Sequence, residues 1–170
     1  MNIQALYANL DRYSAGGAIL RHAVSGLSPE QLTARPGPGA WSSIELIAHL
    51  VDTDLLYSER IKRVIAESNP TLLVADENLW IAGLHPASMD VEEGVALFDA
   101  NRRWTARLLR ACAPETFTRA GMHSVSGRKT LVDLVVGVAN HLDNHLKFLY
   151  AKRANLGVSV YPRYTREPEE

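Results

Sequence analysis

Cys112 is the only cysteine in a chain of 170 residues. An internal disulfide and a thiolate-rich metal cluster are thereby excluded. Net charge is equally scarce: 18 Lys and Arg stand against 19 Asp and Glu, for a formal charge of −1. That balance leaves no electrostatic footprint for nucleic acid or an anionic membrane surface. No apolar run reaches the roughly 18 residues that a spanning helix needs, so no membrane span is expected. The N-terminal stretch MNIQALYANLDRYSAGG lacks the basic start and apolar centre of a secretory signal. A cytoplasmic location is the expectation. There is no repeat, no low-complexity segment, and no alternating strand pattern beyond the short GVSVYPRY near the C-terminus.

What is present is a chain with 46% hydrophobic and 22% charged residues, ordinary for one domain with a sizeable core. Four long stretches carry apolar residues at helical spacing. Helix one runs from about Asn2 to Val24, with Ile3, Leu6, Leu10, Tyr13, Leu20 and Val24 on one stripe. Gly16 and Gly17 weaken it and leave room for another backbone to approach. Ser28 to Gln31 reads as a short capped turn, and Arg35 to Gly39 as a loop. Helix two opens at Ser42, where Ser42 and Glu45 form a capping box behind Trp41, and ends near Glu67. Residues 70 to 89 form a long connection in which Asp76, Glu77 and Trp80 mark a short helical segment, either a lid or a passive crossover. Helix three opens at Asp90, with Glu93 completing a second capping box, and ends before Pro114. Its apolar face, Val95, Phe98, Thr105, Leu109 and Cys112, is interrupted by Arg102. That residue either pairs with a buried acid, orients an anionic substrate, or, as such arginines more often do, snorkels to the surface. Helix four reads from Thr130 to Ala151, and periodicity is lost after Leu156. Four amphipathic helices with one long crossover between the second and third predict an all-α four-helix bundle over 1–156, followed by a C-terminal tail over 157–170 whose last six residues, TREPEE, are charged and read as frayed.

Two histidines interrupt the core stripe of helix four, which reads Leu131, Leu134, Val138, His141, His145, Leu149. Residues four apart are neighbours on a helix surface, so two imidazoles at that spacing can grip one metal ion. A pair of hydrogen-bonded core histidines is the plainer alternative. His49, in the apolar first half of helix two, supplies a third ligand, whereas His22, His85 and His123 sit in segments less suited to one. Glu45, four residues before His49, is read as a cap. Asp52, three residues after His49 on the same face, is the candidate for an acid/base role or for orienting a ligand.

Taken together, Trp41-Ser-x-x-Glu-x-x-x-His-Leu50, Asp76-Glu-x-x-Trp80, His123-x-x-x-Gly-x-x-Thr130 and His141-x-x-x-His-Leu146 resemble the DinB/YfiT-like superfamily of metal-dependent enzymes. The resemblance covers helix one to Leu156. It implies a four-helix bundle in which His49, His141 and His145 bind one divalent metal, and it assigns His123 to a loop motif. It also implies a homodimer. One departure stands out: where many members carry an acidic residue after the first helix-four histidine and a histidine before the last, this chain has Leu142 and Asn144.

Three neutral imidazoles leave coordination positions open, the arrangement of a catalytic site rather than a sealed one. Zinc and nickel lead the candidates, with iron and manganese also accepting imidazole. The expected function is enzymatic, on a small-molecule substrate. The resemblance implies S-transfer or isomerisation with a low-molecular-weight thiol as co-substrate, or hydrolysis. The competing expectation is a stress-related, non-catalytic metal-binding or structural dimer. The family's DNA-damage association raises nucleic-acid binding, against which the neutral charge argues.

Overall fold

The computed structural model describes residues 3–166. Its long helices are α1 (Ile3–Val24), α3 (Ser43–Ala66), α5 (Val91–Arg110) and α6 (Leu131–Asn155), joined by the short α2 (Pro29–Thr33) and α4 (Glu77–Gly83). Three short strands, β1 (Thr71–Leu72), β2 (Ala120–His123) and β3 (Gly127–Thr130), and two 3₁₀ turns, Pro86–Ser88 and Pro114–Thr118, complete the elements of the described residues. The expected start at Asn2, the side chain of Ile3 and the last residues of the tail, 167–170, lie outside the described residues.

Helix starts follow local chemistry. Reciprocal side-chain and backbone bonds close capping boxes at Ser28–Gln31, Ser42–Glu45 and Thr130–Asp133. At α5 only half of the expected box forms: Asp90 accepts from the Glu93 amide, and no return bond from the Glu93 side chain is present among the described residues. Glu45 is thus a cap, as its spacing predicts, and its carboxylate also takes an ion pair from Arg35.

The four long helices bury their predicted stripes against one another. Leu6, Leu10, Tyr13, Leu20 and Val24 of α1 are all buried, as are Leu131, Leu134, Val138 and Leu149 of α6. Gly16 and Gly17 do admit a close approach, but from side chains of α5 and α6 rather than from a backbone. A Cβ on Gly16 would lie 2.2 Å from Arg102 Nη1, and one on Gly17 would lie 2.2 Å from Asp99 Oδ1.

Arg102 does not snorkel. It is 1% exposed, and its Nε donates to Asp54 Oδ1 at 2.8 Å. Asp54 also accepts from Asn101, and the guanidinium lies over the rings of Phe98 and Tyr13. Removing a charge from water is tolerable when an opposite charge and hydrogen bonds answer it in place. Cys112 is half-buried beside the apolar cluster of Leu109 and Phe117.

The small sheet is absent from the sequence expectation. β1 pairs parallel with β2 (Leu72 with His123), and β2 pairs antiparallel with β3 (His123 with Gly127). Gly127, at φ 74°, closes the three-residue hairpin loop. GVSVYPRY, the one stretch with a strand-like pattern, forms no strand. It lies back on the bundle instead: Tyr150 Oη donates to the Arg163 carbonyl, and Thr165 donates twice to Asp143.

Candidate metal centre

The capping box at Ser42 fixes the first turn of α3, and Trp41 packs beside His49, with ring centroids 5.1 Å apart. His49 is thereby held inside the bundle at 5% exposure. His141 and His145 reach toward it from successive turns of α6. His141 Nε2 stands 3.1 Å from both His49 Nε2 and His145 Nε2, so the spacing read from the sequence becomes a cluster in space. One ligand nitrogen from each ring can be chosen so that all lie within 4.8 Å of one another.

This donor set fits a divalent metal. Two metal–imidazole bonds of about 2.0–2.1 Å at a tetrahedral angle place their nitrogens roughly 3.3 Å apart. The two pairs that His141 makes, at 3.1 Å each, are close to that spacing, and the whole set lies within 4.8 Å. The electrostatics agree. Burial, then the neighbouring His145, His49 and Arg102 charges, push the His141 pKa down to about 3. Burial and His49 push His145 down to about 4, and burial lowers His49. All three rings are therefore neutral near pH 7, each with a lone pair to give. Their outer nitrogens are less well held. His49 Nδ1 meets only Thr53 Oγ1 at 3.4 Å, and His145 Nδ1 is buried with no hydrogen-bond partner.

A cavity of about 170 Å³ opens beside His49 and His141, walled by Asp52, Thr53, Tyr57, Arg60, Glu77, Trp80 and His123 among others. Asp52 faces this cavity and makes no hydrogen bond to the histidines; burial raises its pKa. The predicted helical segment of the crossover is α4, capped by the Asp76 carboxylate on the amides of Asn78 and Leu79. Glu77, the first residue of α4, is largely exposed yet brings a carboxylate oxygen to 3.7 Å from His49 Nε2. Trp80 forms part of the wall, so the crossover covers the site.

The other histidines stay apart from the cluster. His22 bonds the Tyr161 carbonyl, and His85 precedes a 3₁₀ turn. His123 lies on the cavity wall, where its Nδ1 accepts from the amides of Val125 and Ser126. Arg60 and Tyr57 also reach the site without having been singled out from sequence. The available signal was spacing: His49, Thr53, Leu56 and Arg60 share one face of α3.

Three comparisons with known proteins bear on this arrangement. The DinB superfamily profile matches residues 12–149. The chain belongs to the DinB superfamily. A "putative metal-dependent hydrolase" of Oceanobacillus iheyensis is 31% identical over 129 residues, covering 75% of this chain and 74% of the relative. Another so named, from Bacillus licheniformis, is 28% identical over 142 residues, covering 82% and 80%. Among solved structures, YfiT from Bacillus subtilis superposes with a TM-score of 0.88 at 21% identity, covering 94% of this chain and 91% of YfiT. YfiT is described as "a probable metal-dependent hydrolase with an unusual four-helix bundle topology". At that identity the likeness establishes the shared fold. Within this DinB chain, the two departures from the family pattern fall on opposite sides of α6: Leu142 is buried in the core, and Asn144 is exposed. No helix among the described residues is long and apolar enough to cross a membrane.

Proposed function

We propose that this protein is a metal-dependent enzyme acting on a small molecule, with His49, His141 and His145 as the ligands of one divalent ion, zinc or nickel first, iron or manganese next. The observation that carries the reading is the cluster of three neutral imidazoles, two of which, His49 and His141, stand in the wall of an open cavity. A divalent ion held there supplies Lewis acidity toward a water or a thiol, the chemistry of hydrolysis or of thiol-dependent S-transfer. The names of the relatives support hydrolysis; a low-molecular-weight thiol as co-substrate is the alternative at the same site.

The chain's own residues do the rest. Asp52, its pKa raised by burial, is the candidate to accept or return a proton at a substrate in the cavity. Trp80 and Tyr57 wall the cavity and limit water. Metal content of untagged protein, purified without chelator, tests the ligand assignment: about one ion per chain is expected, and none in His141→Ala/His145→Ala. Full occupancy in that variant sinks the assignment. Hydrolysis and S-transfer separate on adding a thiol to a panel of electrophilic substrates.

One observation favours a second reading, a closed and non-catalytic site. The Glu77 carboxylate lies within reach of the cluster and could complete a four-ligand shell. Cobalt substitution discriminates: a spectrum that shifts with azide shows an exchangeable position, and one indifferent to azide in wild type yet responsive in Glu77→Gln shows the closed shell. A homodimer is the proposed assembly, to be checked by light scattering.

A further inference from the structure

We infer that the cleft leading from the histidine cluster contains a carboxylate subsite centred on Arg60, and that the small molecule acted on at the metal centre carries a carboxylate group. The inference rests on the metal-enzyme reading above, whose substrate class it specifies.

Arg60 is 5% exposed, and a buried guanidinium needs an anion or a full set of acceptors. Arg60 has neither. Its Nη2 donates to the Leu73 carbonyl and its carbon lies 5.3 Å from the Tyr57 ring centroid. Its Nε is buried with no hydrogen-bond partner. It forms no ion pair with a carboxylate among the described residues, and Glu59, its neighbour in sequence, pairs with Arg63 instead.

The other two buried arginines are satisfied. Arg102 has Asp54, and Arg153 donates to the carbonyls of Ala23, Ser25 and Val158. Arg60 is the buried cation whose charge is left for something else to neutralise.

Its position says what that is. The 170 Å³ cavity beside the histidines and an adjoining chamber of about 430 Å³ share Tyr57, Arg60 and His123 as common wall. His123 adds a donor there. Its Nδ1 accepts from two backbone amides, so the neutral ring carries its proton on Nε2. Burial, then the charges of Arg60 and Lys129, keep that ring neutral. Lys129 lines the outer chamber.

Three acids share these walls, and none of them lies within ion-pair distance of Arg60. Asp133, in the outer chamber, is held by the backbone and hydroxyl of Thr130, and Asp52 and Glu77 line the histidine side. One unanswered buried cation calls for a monoanion. In the outer chamber Lys129 and Asp133 offset each other, so the second charge of a dianionic phosphate would go unanswered near Asp52, whereas a carboxylate answers the one guanidinium and matches its planar fork. An acid bound at Arg60 extends its remaining atoms into the 170 Å³ cavity, toward the histidine cluster.

The test follows the Arg60 Nε–H resonance by ¹⁵N NMR while sodium acetate or, separately, inorganic phosphate is titrated into metal-free and zinc-loaded protein. Zinc content is measured alongside. Acetate is expected to shift that resonance to saturation in the metal-free protein. Arg60→Met is expected to weaken acetate binding about tenfold or more. Gly137→Leu provides a variant that leaves Arg60 in place. A Cβ at Gly137 meets nothing nearer than Tyr57 Oη at 3.6 Å, and the longer side chain fills the outer chamber, so weaker acetate binding is expected there too.

An Arg60 resonance that ignores acetate, an unchanged affinity in Arg60→Met, or phosphate bound in preference to acetate overturns the proposal. Acetate seen only with zinc, the Arg60 signal unmoved, removes the subsite and leaves the metal reading intact. Acetate bound at Arg60 in a protein that takes up no zinc does the reverse.

Discussion

Asp54→Leu should be among the most destabilising single substitutions in this chain. It removes the carboxylate that accepts from Arg102 Nε at 2.8 Å and leaves a guanidinium at 1% exposure with only backbone carbonyls, those of Tyr13 at 3.5 Å and Val138 at 3.2 Å. Breaking a buried pair by removing one partner costs about 3–5 kcal/mol. For a chain of this size each kcal/mol moves Tm by about 2–4 °C, so a fall of roughly 6–20 °C is expected. Arg102→Met costs less, because the orphaned carboxyl can take a proton; burial already holds its pKa above the usual carboxylate range. The double variant Asp54→Leu/Arg102→Met should recover about 2 kcal/mol or more of the summed losses. Urea denaturation of the wild type and three variants supplies the cycle. Additive losses, or a cost below about 1 kcal/mol for Asp54→Leu, would refute the view that the pair answers a buried charge.

Gly16→Ala should destabilise by about 1–3 kcal/mol despite its better helix propensity, since the new Cβ meets Arg102 Nη1 at 2.2 Å and Leu142 Cδ2 at 2.8 Å; thermal melts decide the sign. Ser42→Ala should cost about 1 kcal/mol of cap energy, and a neutral result would assign the α3 start to packing alone. The metal-free protein should lose stability on acidification: His141, ordinarily near 6.5, is depressed to about 3, so below pH 6.5 the unfolded chain binds the proton that the folded chain refuses. The loss attributable to His141 reaches about 2 kcal/mol at pH 5, vanishes above 6.5, and should shrink in His141→Gln; equal pH slopes in both proteins would count against it. Zinc at a hundredfold excess over its Kd should add about 2.7 kcal/mol to wild-type stability and nothing to His141→Ala/His145→Ala, measured by melts with and without zinc.

Where sequence alone was enough, the cause was local. The caps at Ser42, Ser28 and Thr130 act over three residues, and the His141–His145 pairing acts over one turn, so both can be read without knowing the fold. His49 belongs to the cluster only because α3 packs beside α6; its place rested on the apolar run around it and on family resemblance. Arg102 was visibly out of place on its helix face, but its partner Asp54 lies 48 residues earlier, and no local pattern joins them. The sheet was hidden for a related reason. Strands of two and four residues carry no readable period, and the pairing of Leu72 with His123 is long-range. Arg60 sits within Glu59-Arg60-Ile61-Lys62-Arg63, where composition does not mark which of the four charges is buried and only the helical spacing from His49 and Thr53 points to Arg60.

These differences divide the protein into two sets of parts. The histidines stand on α3 and α6, long helices whose positions depend on the core and on the Arg102–Asp54 pair. Glu77, Trp80 and His123 stand on the crossover and the hairpin. Those segments are tied to each other by the β1–β2 pairing and by the Val74 amide on Ser124 Oγ at 3.0 Å. Arg60 joins the two sets, rising from α3 to donate to the Leu73 carbonyl beside β1. A bundle substitution such as Asp54→Leu should therefore lower Tm while leaving the cavity wall in register. Ser124→Ala should do the opposite, loosening the crossover and with it Glu77 and Trp80 at little cost to the core. If hydrogen exchange instead showed the crossover amides opening together with those of α3 and α6, the wall would be part of the bundle's cooperative unit, and substrate selection could not vary independently of stability.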